Sequence, residues 1–296
     1  MRHSPTRFPS RHGLVLLAVA STVAGCRFPF PTASRGGGTP QPVPAAATGA
    51  VLPGPIREAV AAEALYANGG GLEGMARWRP KRLWQTGGPK FEAATEFDVI
   101  GENVIPFEED GKVRAFAVVT IRPTGYTCPR CAPIVGAVAL TDAPGGWMVD
   151  AAEPELTVWG GKGVLTGSTS LVRLASDRHG FALQSGTEVD GLLESSLLLV
   201  AERGGQLVEV LRIGEAAGGN KGSCGAAAGE TPCWGWDSDW STTMRKGAEL
   251  WDFKIVMSGT RPNESTKTPE EFSETRTYSW NGSGYQLAAG GSDDAR

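Results

Sequence analysis

Histidine is nearly absent. The 296-residue chain has three, His3, His12 and His179, and the first two fall in a segment with the marks of a removable leader. A body with one histidine cannot build a site that needs two, which excludes His-Glu-x-x-His zinc enzymes. Cysteine is scarce as well, at five. A basic excess is missing: 28 Lys and Arg stand against 32 Asp and Glu, a net charge of −4, which argues against a dedicated nucleic-acid binder. Hydrophobic residues make up 41 % and charged residues 20 %, which excludes a polytopic membrane protein and wholesale disorder alike. No cofactor motif is complete. Residues 69–74 (GGGLEG) match Gly-x-Gly-x-x-Gly but follow a helix signal instead of a strand, and 160–163 (GGKG) lack the Lys-Ser/Thr ending of a phosphate loop. Residue 132 is Ala, so Cys128 and Cys131 do not form a haem-attachment motif.

The amino terminus carries an address. Residues 1–12 hold Arg2, Arg7 and Arg11 and no acid, and the apolar run 13–24 (GLVLLAVASTVA) follows. That run is too short for a permanent spanning helix, which takes about 20 residues. A basic region, a short apolar region and small residues in that order read as a secretory signal. It ends in Val23-Ala24-Gly25-Cys26. These four residues resemble the lipobox of bacterial lipoprotein signal peptides: an aliphatic residue, a small one, Gly or Ala, then the cysteine that receives the lipid. The resemblance covers residues 1–26. It implies diacylglycerol on the Cys26 thiol and cleavage before Cys26, with residues 1–25 as the signal peptide. Several acyl chains on one residue anchor a protein stably where a single chain does not. Arg27 stands where many inner-membrane lipoproteins carry Asp, so the resemblance points to the outer membrane. Cleavage would remove three arginines and leave 25 basic against 32 acidic residues, a net of −7.

Residues 26–54 are expected to be a lipidated cysteine and a tether. From 27 to 54 there are six prolines, a Gly36-Gly37-Gly38 run and no acid. Such a stretch buries too little to offset its ordering entropy, and as a random coil it reaches roughly 30 Å. The body is expected over 55–287 and a frayed Gly/Ser/Asp tail over 288–296. One short helix should open the body, with Pro55 at its first turn, Ile56, Ala59, Val60 and Ala64 on one face, and Asn68-Gly69 at its end.

Strand signals dominate thereafter. Residues 113–121 (VRAFAVVTI) are mostly apolar and β-branched, as in a strand covered on both faces. Residues 251–257 alternate, as in a strand with one face buried. Three hairpins are expected, turning at 144–146 (PGG), 203–205 (RGG) and 281–284 (NGSG). The fold class is therefore mainly β, an antiparallel meander forming a sandwich or a barrel. The Gly/Ala-rich 214–229 is the expected internal break, a long loop or a boundary between two small β lobes split near 214–232.

Four cysteines remain after lipidation: Cys128, Cys131, Cys224 and Cys233. An even number in an exported chain favours disulfides. Pro129 suits a β-turn that brings Cys128 and Cys131 within about 7 Å, and a Cys224–Cys233 bond would staple the glycine-rich loop. Pairing across the two motifs satisfies the same count. A redox site at Cys128 and Cys131 would want a helix start, whereas 134–138 (IVGAV) reads as strand. Zinc would need all four thiolates in an oxidising compartment.

Two clusters are candidate binding surfaces. Arg77, Trp78, Arg79, Lys81, Arg82 and Trp84 form the one dense basic run of the body, suited to anionic head groups, lipopolysaccharide or an acidic partner. Trp234, Trp236 and Trp240 lie beside Asp237 and Asp239, a pattern suited to a glycan platform or a weak calcium site. His179 sits in a turn signal and reads as solvated, and the pair Glu108-Glu109 reads as a charged turn. With no nucleophile motif, no metal set and no cofactor expected, a binding or structural role is favoured over catalysis. An envelope redox or metal-binding protein using Cys128 and Cys131, or a periplasmic hydrolase, is the alternative. A pocket gathering His179 and several carboxylates would point to an enzyme.

Overall fold

The computed structural model describes residues 48–67, 97–125, 132–161, 163–221, 223–225, 231–263 and 265–288. The chain is mainly β, with two antiparallel sheets and one short helix. Neither sheet closes on itself among the described residues, so the sandwich is the form adopted.

Twelve of the strands form three successive four-stranded meanders. The first is β2 (Phe97–Glu109), β3 (Lys112–Pro123), β4 (Ile134–Ala143) and β5 (Gly146–Val158), with β1 (Val51–Pro53) added beyond β5. The second is β6 (Gly167–Ala175), β7 (Arg178–Val189), β8 (Leu192–Arg203) and β9 (Gln206–Gly219). The third is β10 (Gly235–Thr243), β11 (Asp252–Pro262), β12 (Pro269–Trp280) and β13 (Tyr285–Leu287). The second and third share one sheet but join through two residue pairs, Gly219 with Gly235 and Gly218 with Trp236. The expected lobe boundary near 214–232 therefore falls within a continuous sheet. Residues 214–219 extend β9, and the chain leaves the sheet only at Asn220.

Strand alternation sorts the core into layers. In β3, Ala115, Ala117, Val119 and Ile121 face outward toward the helix, while Phe116 and Val118 face the second meander. In β8, Leu198 and Val200 face the first meander, and Leu197, Leu199 and Ala201 face the third, against Phe253, Ile255 and Met257 of β11. The continuous apolar runs of β3 and β8 follow from this double burial. β11 has one buried face and alternates, as expected.

Turn chemistry sets the meanders. Gly204 and Gly205 both take positive φ, a type I′ turn, and the hairpins at 144–146 and 281–284 form where expected. Hairpins also turn at Asp110-Gly111 and Asp190-Gly191, with positive φ at each residue. Asp-Gly is a type I′ signal in its own right.

The helix is shorter than its pattern suggests. α1 runs over Glu58–Ala62 and passes into a π-helical turn, Glu63–Ala67. The wider turn places the consecutive residues Ala64, Leu65 and Tyr66 in the core, where a 3.6-residue period would have spread them around the axis. The expected end at Asn68-Gly69 lies outside the described residues. The body also begins before residue 55, since β1 pairs with Gly146–Met148 and buries Leu52. At the other end, the N–H of Ala288 still donates to the Thr277 carbonyl; the rest of the expected tail lies outside the described residues.

Tyr66 locks this segment to the sheet. Its hydroxyl donates to the Pro154 carbonyl at 3.2 Å, and it lies over Gly136 of β4. Burial, then Glu155 and Glu153, push its phenol pKa well above the ordinary value, so it stays neutral. A Cβ on residue 136 would stand 2.3 Å from the Tyr66 oxygen and 3.0 Å from the Pro154 carbonyl. Gly136→Ala is therefore expected to cost about 1–3 kcal/mol in chemical denaturation. Adding Tyr66→Phe should restore part of that loss, a coupling that a double-mutant cycle measures.

Candidate functional site

The aromatic cluster is built where the second and third meanders meet. Asn220, buried at the end of β9, organises the approach. Its amide donates to the Pro232 carbonyl at 2.9 Å, its side-chain oxygen accepts from the Trp234 N–H at 2.7 Å, and its own N–H donates to the Trp234 carbonyl. The Cys224–Cys233 disulfide closes the same loop, with Cα atoms 5.0 Å apart. Trp234 is thus held at both its backbone groups beside a covalent staple.

Trp236 follows on the same face. Its six-membered ring lies on Gly218, where a Cβ would approach within 2.5 Å. This explains the glycine at 218, which makes room for an indole, and Gly219 beside it meets the backbone of Trp234 and Gly235. Trp234 and Trp236 stack with centroids 5.5 Å apart and planes at 14°. Phe272 of β12 meets Trp236 edge-on at 5.9 Å. Between them in register is Gly259 of β11, paired with Trp236 on one side and Phe272 on the other. A Cβ at Gly259 would stand 2.3 Å from the Gly235 carbonyl, so glycine there lets β10 and β11 approach, and a hollow of about 300 Å³ lies beside the aromatic rings. Its rim is charged. Arg261 lies 4.5 Å over the Phe272 ring, Arg276 is paired with Glu274, and Glu215 reaches in from β9. The Glu274 hydrogen bond outweighs burial and raises the Arg276 pKa, so the guanidinium is charged throughout. A second hollow of about 340 Å³ adjoins across Arg261 and Pro262, lined by Asn263, Ser265 and Glu270.

Trp240 does not belong to this groove. It stacks on Phe253, 5.7 Å away, at the edge of the core. Asp237 and Asp239 are exposed while Trp236 and Trp240 turn inward, because adjacent strand residues point to opposite faces. The expected meeting of indoles and these carboxylates does not occur. Among the described residues no group of three or more His, Cys, Asp and Glu is arranged to hold a metal. The basic run Arg77, Trp78, Arg79, Lys81, Arg82 and Trp84 lies outside the described residues, as do Cys26, Cys128 and Cys131.

A second, polar site occupies one end of the layers. Arg114 of β3 donates to Glu202 of β8 at 2.6 Å and to Asp150 of β5 at 3.1 Å, and it also binds Glu109 of β2. Burial works against its charge, but Glu202 and Glu109 outweigh that and hold its pKa above the ordinary value. Glu109 in turn accepts from the His179 backbone N–H at 2.9 Å and meets its Nδ1 at 3.1 Å. The expectation of a solvated His179 and a charged turn at Glu109 is corrected: their side chains are 15 % and 8 % exposed, joined across 70 positions of sequence. Arg178 pairs with Glu249 at 2.8 Å, and Arg203 lies 5.0 Å over the Trp280 ring. Hydrogen bonds from Trp280 and then Arg178 hold the Glu249 carboxyl below its usual range. These groups line a cleft of about 660 Å³.

No family model, curated protein or solved structure matches the chain.

Arg114 joins two meanders and binds three acids. Replacing it with Leu is expected to cost about 3–5 kcal/mol in unfolding free energy, because the three carboxylates then crowd one another without their shared cation. Glu202→Gln should cost less, about 1–2 kcal/mol, since the amide oxygen still accepts from Arg114.

Proposed function

We propose that the chain is a lipid-anchored lipoprotein of a bacterial cell envelope whose β-sandwich body is a binding module. The lipobox Val23-Ala24-Gly25-Cys26 carries the anchored reading, with the proline-rich tether behind it. Arg27 in place of Asp favours the outer membrane. The body supports binding over catalysis because the charged groups of its largest cleft hold layers together, while Trp234, Trp236 and Phe272 are only partly buried and line an open hollow. Among the described residues no helix is long and apolar enough to cross a membrane, so the acyl chains would do the anchoring. In an exported chain Cys128 and Cys131 would form a second structural disulfide beside Cys224–Cys233.

Cys26→Ala is expected to abolish acyl labelling and to move the protein from the membrane to the soluble fraction. Normal processing and unchanged membrane association of that variant would overturn the anchor.

One observation favours a second reading, a periplasmic hydrolase. Glu109 fixes the His179 ring through Nδ1, and among the described residues no hydrogen bond reaches Nε2, beside a cleft that also holds Arg178 and Arg203. A carboxylate that orients an imidazole in this way leaves Nε2 to act as a base. Under that reading His179→Gln abolishes turnover of small ester substrates. Under the primary reading the wild-type protein turns over none, and the variant loses roughly 1 kcal/mol of stability.

A further inference from the structure

We propose that the groove from Trp234 to Asn263 binds an uncharged oligosaccharide of two or three pyranose rings; this rests on the reading of the body as a binding module and names its ligand class. Three observations point there. The first is the pairing of surfaces. A pyranose ring has a small apolar C–H face and a belt of hydroxyls, so it needs a flat aromatic surface with donors and acceptors at its margin. Trp234, Trp236 and Phe272 supply the former around the hollow, and Arg261, Glu274 and Arg276 the latter.

The second is charge. Arg276 is committed to Glu274 and Arg261 lies 4.0 Å from Glu270, while Glu215 adds one more acid. Such a rim repels phosphate and sulfate groups instead of collecting them, which disfavours an anionic lipid or polyanionic glycan. The third is position and length. The groove lies on the sheet face over β11, which is paired along its length on both sides, so a ligand there meets aromatic and polar side chains instead of a strand edge. The adjoining hollow beyond Arg261 is polar, with Asn263 and Ser265 in a tight turn, and suits the hydroxyls of a second ring. Together the two hollows fall within the size range of small-ligand sites.

The test uses the detergent-solubilised full-length protein, titrated calorimetrically and by tryptophan fluorescence with maltotriose, cellotriose, xylotriose and tri-N-acetylglucosamine. At least one should bind saturably. Trp234→Ala should weaken it at least about tenfold, as should Ser265→Trp, which fills the polar hollow from an exposed turn. Trp240→Phe, outside the groove, should leave binding unchanged. No saturable binding by any of the four up to about 10 mM would overturn the inference, as would binding that survives both groove variants. Preference for a sulfated or phosphorylated sugar would overturn it too. A photo-crosslinking residue at position 234 in intact membranes separates the two levels. If it captures an envelope protein while no sugar binds, the ligand class is wrong and the binding module stands. If it captures nothing and no sugar binds, both fall.

Discussion

The centre of β8 has no wet face. Leu197, Leu198, Leu199, Val200 and Ala201 are all buried, alternate ones against the first meander and the rest against the third. A stretch covered on both sides cannot place charge along its length, because an unpaired buried charge costs several kcal/mol. The charged residues of β8 therefore stand toward its ends, Glu194 at one and Glu202 and Arg203 at the other. At one end Arg114, Glu202, Glu109 and His179 tie the first meander to the second, and Arg178 and Glu249 tie the second to the third. The cleft there is the seam of the layers, and its residues are engaged in holding it.

At the junction with the third meander the same constraint has the opposite result. The second and third meanders share only two residue pairs, both through glycines of β9. Trp236 packs against Gly218 at that junction, and a hollow remains beside its ring. The disulfide and Asn220 keep the loop between the strands from widening it further. The groove is thus a consequence of how two meanders are joined, supported by a covalent bond and a satisfied buried amide.

Legibility along the sequence tracked the range of the interactions. The double burial of 115–121, the single buried face of β11 and the glycine turns at 144–146, 203–205 and 281–284 are readable because each leaves its mark within a few neighbouring residues. The Asp-Gly turns at 110 and 190 are equally local. The strand at 214–219 is hidden for a different reason: its Gly218 answers to an indole in another strand, and no local rule reports that. Strand alternation also parted Asp237 and Asp239 from the indoles beside them, so density in sequence overstated density in space.

The sequence by itself determined the mainly β class, the position of three of the hairpin turns and the presence of a tryptophan cluster. These rest on composition, short motifs and two-residue periodicity, which act within one segment. Only the tertiary structure decided that His179 meets Glu109, that Arg114 gathers three acids, and that Trp236 and Phe272 face each other across Gly259. Those contacts join strands tens of residues apart. Which strands lie side by side is settled by burying the most apolar surface at once, a property of the whole chain.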